Sequence, residues 1–213
     1  MKKLPLLFFI LFMTIAAEAQ VQVRMGVQAS PIFTVNRVQS FSDTLNLTPD
    51  GARLRMMAGP VFDFMLRENY YFSTGILYAP KVVGFNASFE NNTRKFDEQY
   101  VLQYLRVPLT FRLFTNEISL DNRLYVQVGL TADIKIYEEA DSRDAFLVND
   151  FTILDGTALI GIGLEHRIGY NTSLFAGFSY SRGLVNTVSN HLNLDDDIKS
   201  RNDIFSLDLG IFF

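Results

Sequence analysis

Apolar and polar residues alternate along most of the chain with a period of two, the pattern of β-strands whose two faces meet different surroundings. The clearest segment is 124–136, in which every even position is apolar and the odd positions hold Tyr, Gln, Gly, Thr, Asp and Lys. Seven further segments alternate in a similar way, at 21–34, 53–64, 70–85, 104–113, 157–167, 173–181 and 206–213. The pattern predicts eight strands.

The connections between these strands alternate between short and long. Short connections lie at about 67–69, 116–122 and 169–171, and longer polar stretches lie at about 36–52, 86–97, 138–150 and 186–202. An even number of strands, with short turns on the side of both termini and long loops on the other, is typical of a bacterial outer-membrane barrel. We therefore expect an all-β fold, an eight-stranded antiparallel up-and-down transmembrane β-barrel.

The N-terminus has the features of a secretory signal. Two lysines at 2–3 precede an apolar run at 4–17, and a signal-peptidase site fits between Ala19 and Gln20. The run is shorter than the roughly 20 residues that a helix needs to cross a bilayer. We predict a removed signal peptide at 1–19 and a barrel at 20–213. The chain has no cysteine, which excludes acylation at the cut and any disulfide.

The polar positions of the strands are expected to face the barrel lumen, and the apolar positions the lipid. Nine of the 13 glycines fall on the polar positions, where small residues make room in the narrow interior of eight strands. Aromatic residues on the apolar positions gather toward both ends, as in the girdles of outer-membrane barrels. The polar positions also carry charges of both signs, which predict a lumen charge network of Arg24, Arg53, Arg55, Asp63, Lys81, Arg106, Arg112, Asp133, Lys135, Glu165, Arg167 and Asp208. Such charges either tune permeation or form structural ion pairs that fill a closed core.

The last eight residues, SLDLGIFF, alternate up to the end of the chain. The eighth strand must pair with the first to remove both sheet edges, so we expect a backbone ladder to hold the chain end. A terminal strand that ends in Phe213 resembles the signal by which the outer-membrane assembly machinery recognises its substrates. That machinery is therefore an expected partner.

Two segments, YLRVPLTFRLF (104–114) and RLYVQVGLTADI (123–134), resemble the PorT-like outer-membrane β-barrel family of the phylum Bacteroidota. In that family a strand with Pro-Leu precedes a turn and then a strand with a Gly, and Pro108, Leu109 and Gly129 match these positions. The resemblance covers essentially the whole chain after the signal. It implies an eight-stranded barrel but no single activity, because members range from secretion-machine accessories to proteins of unknown role. Pro108 donates no ladder hydrogen bond, and we expect a bulge there.

Few residues suit catalysis. We expect His166 to face lipid while its neighbour Glu165 points inward, and His191 to lie in a loop near other polar residues by chance. The acidic run at 195–197 lacks the spacing of a calcium loop and is interpreted as a solvated loop. The triplet Asp43-Thr44-Leu45 resembles a short O-glycosylation motif of the same phylum. We therefore expect no enzymatic activity, no metal and no cofactor.

The net charge of −4 argues against nucleic acid as a partner. We expect a monomeric barrel in the outer membrane of a Gram-negative bacterium. Its expected role is structural or accessory, such as membrane scaffolding, support of a secretion machine or surface contact through the extracellular loops. The alternative is a narrow, porin-like channel for ions or small solutes. Outer-membrane lipid, lipopolysaccharide, the assembly machinery and a secretion or envelope complex are the expected partners.

Overall fold

The structure, a computed structural model, describes residues 22–40, 45–49, 53–89, 92–140, 148–186, 188–191 and 198–213. Its strands are β1 (Val23–Ser40), β2 (Leu45–Pro49), β3 (Arg53–Arg67), β4 (Tyr70–Gly75), β5 (Leu77–Phe89), β6 (Asn92–Phe114), β7 (Asn122–Ala140), β8 (Val148–Phe151), β9 (Leu154–Arg167), β10 (Ser173–Gly183), β11 (Val188–His191) and β12 (Ile198–Phe212). The predicted cleavage site at Ala19 and Gln20 lies outside the described residues, as do Asp43, Thr44 and the acidic run at 195–197. Within the described residues, no helix has the length and apolar character needed to cross a membrane.

Eight antiparallel strands form a closed barrel. β4 and β5 follow one another along the same line and together make the third strand of the wall, which pairs with β3 on one side and β6 on the other. From β6 the wall continues through β7, β9, β10 and β12, and β12 pairs with β1 to close it. β8 and β11 form a separate two-stranded sheet. The predicted eight-stranded antiparallel barrel is confirmed.

The two faces of the wall differ as the alternation predicted. Outward positions carry large apolar side chains, such as Val128, Ile162 and Phe178, that stay exposed in the isolated chain. Inward positions bury charged side chains, among them Asp63, Lys81 and Asp133. Only a surrounding lipid phase makes that arrangement favourable, because it shields the apolar face while the lumen pairs the charges.

The chain end is held by its ladder. Gly26 of β1 is the register partner of Phe212, and the backbone N–H of Phe213 donates to the carbonyl oxygen of Met25 at 2.8 Å. The eighth wall strand therefore meets the first over its full length, as expected from the alternation in SLDLGIFF.

Three of the predicted loops are wrong in extent. The β5–β6 register continues from Leu77–Arg106 to Phe89–Asn92, so most of 86–97 is strand. The β1–β12 register likewise reaches Ser40–Ile198, which turns parts of 36–52 and 186–202 into strand. Beyond the membrane both faces of a hairpin meet water, so the backbone ladder persists where the apolar alternation has ended. The alternation therefore marks the membrane-crossing part of each strand and not its end.

The bulge expected at Pro108 is also wrong. The register passes Pro108 without a shift, from Leu109–Thr74 to Arg106–Leu77 on one side and through Pro108–Thr131 on the other. The ladder to the third wall strand is interrupted opposite this proline, where a residue without an N–H costs no hydrogen bond. An irregularity in β6 lies instead between Gln103 and Tyr104.

Candidate functional site: the charged and aromatic lumen

An ion-pair cluster closes the lumen toward the long loops. The Lys81 ammonium donates to Oδ2 of Asp133 at 2.7 Å and to Oδ2 of Asp155 at 2.9 Å. The Arg106 guanidinium donates two hydrogen bonds to Asp133, from Nε to Oδ1 at 2.8 Å and from Nη2 to Oδ2 at 2.8 Å. We call Lys81, Arg106, Asp133 and Asp155 the upper cluster. Its four members come from four consecutive wall strands, so it braces one side of the barrel from within.

The upper cluster is fully withdrawn from solvent. Lys81 is 0% exposed, and its ammonium also lies 4.4 Å from the centre of the Tyr104 ring. Burying two cations and two carboxylates is tolerable only when each is paired, because an isolated buried ion is strongly destabilising. The two-to-two balance of charges in this cluster meets that condition.

A belt of smaller polar groups lies around Asp208 on β12. Its Oδ1 accepts hydrogen bonds from Gln28 Nε2 at 3.1 Å and Ser30 Oγ at 2.9 Å, and its Oδ2 accepts from Ser179 Oγ at 2.7 Å. The Ser179 and Ser206 hydroxyls are 2.5 Å apart. This network ties β1, β10 and β12 together beside the seam where the barrel closes.

A second ion-pair cluster fills the lumen toward the short turns. Arg24 bridges Asp63 at 2.9 Å and Glu165 at 2.9 Å, and Glu165 also accepts from Arg123 Nη2 at 2.6 Å. Arg112 donates to Gln127 Oε1 at 3.1 Å and lies 3.4 Å from Asp63 Oδ2. We call Arg24, Asp63, Arg112, Arg123 and Glu165 the lower cluster. Arg24 and Glu165 lie 141 residues apart in sequence, on strands that do not pair, so their contact crosses the lumen.

Aromatic rings surround the arginines of the lower cluster. The guanidinium carbon of Arg24 lies 4.5 Å from the centre of the Tyr71 ring and 4.7 Å from that of Phe212. The same carbon of Arg112 lies 5.1 Å from both the Tyr125 and Phe175 rings. These cation–π contacts favour Arg, whose flat, weakly hydrated head stacks on rings. The inward-facing rings here are Tyr71, Phe114, Tyr125, Phe175 and Phe212.

Glycines make room for these rings. A Cβ added at Gly163 would lie 2.4 Å from the Tyr125 ring, and one added at Gly210 would lie 2.4 Å from the Phe175 ring. The glycines at 26, 163, 177 and 210 therefore make room in the lumen as expected, and the side chains that they admit are aromatic.

The lumen charges balance, and the space between them is small. In the two clusters and the Asp208 belt, the described residues supply five cations, Arg24, Lys81, Arg106, Arg112 and Arg123, and five carboxylates, Asp63, Asp133, Asp155, Glu165 and Asp208. The cavity that touches Arg106, Arg112 and Asp208 has a volume of about 30 Å³. That is room for a water molecule or two, not for a hydrated ion and its path.

The structure brings together most of the predicted lumen charges. Arg24, Asp63, Lys81, Arg106, Arg112, Asp133, Glu165 and Asp208 all belong to the two clusters or to the belt. The other four predicted residues are Arg53, Arg55, Lys135 and Arg167. Arg53 is half-buried, Lys135 pairs with Glu138 at 2.5 Å, and Arg55 and Arg167 are exposed. Arg167 pairs with Glu117 and with Asp121 at the rim of the short turns, where the lumen is open to water.

Sequence reasoning missed Asp155, Arg123 and the inward rings. Asp155 is an even number of residues from Glu165 along β9, and Arg123 is an even number of residues from Gln127 along β7. Each therefore lies on the inward face of its strand and could have been assigned to the lumen. Both lie at strand ends, where the alternation fades. The rings were missed because aromatic residues are expected on the lipid face of a barrel.

The expected separation of His166 from Glu165 is seen. The His166 ring is exposed and its Nδ1 lies 3.0 Å from Asn122 Oδ1, whereas Glu165 is buried in the lower cluster. His191 belongs to β11, in the small sheet with β8. Among the described residues, no group of three or more His, Cys, Asp or Glu side chains is placed to hold a metal ion.

A closed antiparallel wall with an apolar outer face, a charged lumen and short turns at one end defines the class of outer-membrane β-barrels. The sequence model of the family described as "Outer membrane protein beta-barrel domain" matches residues 16–189, and the chain belongs to this family. It is a protein of the cell outer membrane.

Solved structures show the same fold at low sequence identity. The outer membrane protein OprG from Pseudomonas aeruginosa is 10% identical, with a TM-score of 0.59 over 89% of this chain and 96% of that one. Neisserial surface protein A is 11% identical, with a TM-score of 0.50 over 88% of this chain and 95% of that one. A comparison with curated proteins found no significant match.

Proposed function

We propose that this protein is a closed, non-conducting barrel with a structural or accessory role in the outer membrane. It would act as a membrane scaffold, as support for a secretion machine, or in surface contact through its extracellular loops. The observation that carries the proposal is the middle of the lumen, where the cavity between Arg106, Arg112 and Asp208 has a volume of about 30 Å³. A barrel without a path for solutes must act through its outer wall or its ends.

The resemblance of 104–134 to the PorT-like family of Bacteroidota favours the accessory role. Pro108, Leu109 and Gly129 carry that resemblance, and they lie on the adjacent strands β6 and β7. We propose that the chain is a member of this subgroup and that it has no enzymatic activity. Its partners would then be the assembly machinery, recognised through Phe213, and a secretion or envelope complex.

Conductance in planar lipid bilayers tests the closed lumen. We expect wild-type protein to show no steady single-channel current, because the upper and lower clusters lie in series along the lumen. The shift in gel mobility between heated and unheated samples checks that the protein is folded and inserted. A failed insertion is then not mistaken for a closed barrel.

The matched variants are Arg106→Ala and Arg55→Ala. Arg106 is buried in the upper cluster, whereas Arg55 also lies on the inward positions of its strand but is exposed. Steady wild-type currents whose ion selectivity changes in Arg106→Ala and not in Arg55→Ala would overturn the closed barrel. They would establish the lumen as a conducting path.

A narrow, porin-like channel is the second candidate, and one feature favours it. A polar vestibule of about 360 Å³ opens at the short-turn end and reaches Arg24 and Glu165 of the lower cluster. For ions to pass, these pairs and those of the upper cluster would have to exchange partners. The bilayer experiment above decides between the two candidates.

A further inference from the structure

Three arginines on the outer wall lie together near the long-loop end. They are Arg37 on β1, Arg182 on β10 and Arg201 on β12, and each occupies an outward-facing position of its strand. β12 lies between the other two strands, so the three side chains share one face. We call them the arginine patch. Charged residues are costly on the lipid face at mid-bilayer but acceptable at its edge.

The arginine patch has an excess of positive charge. Arg37 and Arg201 are direct register partners, and Arg182 is the register partner of Asp203. Like charges placed opposite one another destabilise a sheet unless a counter-charge lies nearby. Asp203 supplies one, since its Oδ2 lies 2.8 Å from Arg37 Nε. Three cations and one carboxylate leave a net charge of +2.

The two remaining arginines are available to a ligand. Asp203 is already engaged, because it also accepts hydrogen bonds from Tyr180 Oη at 3.0 Å and from the backbone N–H of Gly183 at 3.2 Å. Arg182 and Arg201 are exposed, and neither forms an ion pair within the part of the chain that the structure describes.

An aromatic pair marks the height of the patch in the membrane. The Tyr180 and Phe205 rings lie 4.9 Å apart on the outer wall, and Phe33 is the register partner of Phe205. Such outward rings mark the interface between hydrocarbon and headgroups. Arg182 and Arg201 lie two and four residues beyond these rings, about 7 to 13 Å along the strands. This is the depth of lipid headgroups.

An apolar groove begins at the same two rings and runs toward mid-membrane. Its volume is about 690 Å³, and it crosses β7, β9, β10 and β12 on the outer wall. The outward side chains that line it are Val126, Val128, Ile160, Ile162, Phe178, Tyr180 and Phe205. Such a groove suits an acyl chain whose headgroup lies above the rings.

We propose that the arginine patch and this groove form a binding site for one phosphorylated glycolipid of the outer leaflet, of the lipid A type. A phosphate would lie between Arg182 and Arg201, and an acyl chain would lie along Ile160 and Phe178. The patch lies on the side of the long loops and therefore faces the outer leaflet. A second copy of the chain fits less well, because two copies meeting through this face would bring two positive patches together. The site is independent of whether the lumen conducts.

Native mass spectrometry of the detergent-purified barrel, titrated with diphosphorylated lipid A, tests the proposal. The variant is Arg182→Gln/Arg201→Gln, which leaves the Arg37–Asp203 pair intact. Each basic side chain near an anionic surface contributes about 1 kcal/mol, so we expect the Kd to rise about 30-fold. Arg67→Gln is the matched control, because Arg67 is an exposed arginine at the opposite end of the wall. It should leave the Kd unchanged.

Two further measurements separate the contribution of the phosphorylated headgroup to binding from that of the acyl chain. Dephosphorylated lipid A should bind wild-type and double variant alike. Val128→Phe, which fills the groove, should weaken lipid A binding at least about fourfold, the contribution of one buried CH₂ group.

Three results would overturn the site. The first is an equal Kd for wild-type and the double variant. The second is binding of phosphatidylglycerol as tight as that of lipid A, which would show general attraction to anionic lipid. The third is a lipid-free dimer that Val128→Phe abolishes, which would assign the groove to a second copy.

Discussion

The upper and lower clusters of the lumen both pair cations with carboxylates, but in different surroundings. In the upper cluster Lys81 and Arg106 bind Asp133 and Asp155 directly, and Lys81 is 0% exposed. In the lower cluster the arginines share their carboxylates and also stack on aromatic rings, and the Arg24 side chain is 17% exposed to the vestibule.

The difference shows two ways of keeping charge inside a narrow barrel. In the upper cluster Asp155 has Lys81 as its one cation, and Arg106 has Asp133 as its one carboxylate, among the ion pairs of the described residues, so these two ions depend on a particular partner. The lower cluster is redundant, because Asp63 contacts two arginines and Glu165 contacts two. We therefore expect the upper cluster to be sensitive to loss of charge and the lower cluster to be sensitive to changes in volume.

Loss of the buried ammonium should have the largest effect. Lys81→Met leaves Asp155 without its cation, and we expect the free energy of unfolding to fall by about 3 to 5 kcal/mol, as for other broken buried pairs. Arg24→Met is the matched change in the lower cluster. Its carboxylates each keep another arginine, so we expect a loss of roughly 1 to 3 kcal/mol. Urea unfolding in lipid vesicles measures both.

Lys81→Met/Asp155→Asn shows whether the effect is due to charge. Removing both partners should recover part of the loss, because Arg106 and Asp133 still form a neutral pair. The proposed contrast fails if Lys81→Met costs less than Arg24→Met, or if the double variant is no more stable than Lys81→Met.

Added volume should be costly beside the aromatic rings that surround the lower cluster, and Gly156 on the outward positions of β9 provides a control. Gly163 and Gly156 both lie on β9, but a Cβ at Gly163 would be 2.4 Å from the Tyr125 ring, and one at Gly156 would be 3.4 Å from its nearest neighbour, Val185. We expect Gly163→Ala to cost about 1 to 3 kcal/mol in vesicle unfolding, the usual cost of overpacking. Gly156→Ala should be close to neutral. Equal effects would show that the aromatic part of the lumen is not tightly packed.

The smallest effect is expected at the open end of the lower cluster. Arg123 is 24% exposed at its side chain, and Glu165 keeps Arg24 when Arg123 is removed. Arg123→Met should lower the free energy of unfolding by about 0.5 to 1 kcal/mol, in the range of partly solvated pairs. The loss should shrink in high salt, which screens such pairs. A salt-independent loss would point instead to the stacking of Arg123 on Phe114.

The pattern of the sequence was enough for the wall of the barrel and for its orientation. A strand between lipid and lumen needs apolar and polar residues in turn, so Val128 and Gln127 could be assigned to opposite faces from their neighbours alone. The prediction of strands became less accurate where the chain leaves the membrane and alternation is no longer required. At 86–97 the apolar alternation has ended while the β5–β6 ladder continues, and strand was taken for loop. At Pro108 a local rule predicted a bulge that the register does not show.

The sequence by itself determined which side chains enter the lumen, because parity along a strand is a local property. Only the tertiary structure decided which of them meet. Arg24 reaches Glu165 across the lumen because the stagger of the eight closed strands places the two residues at the same height in the barrel. That stagger cannot be inferred from any local pattern in the sequence. The same holds on the outer wall, where Arg37, Arg182 and Arg201 are distant in sequence and become one patch only when β12 closes the barrel between β10 and β1.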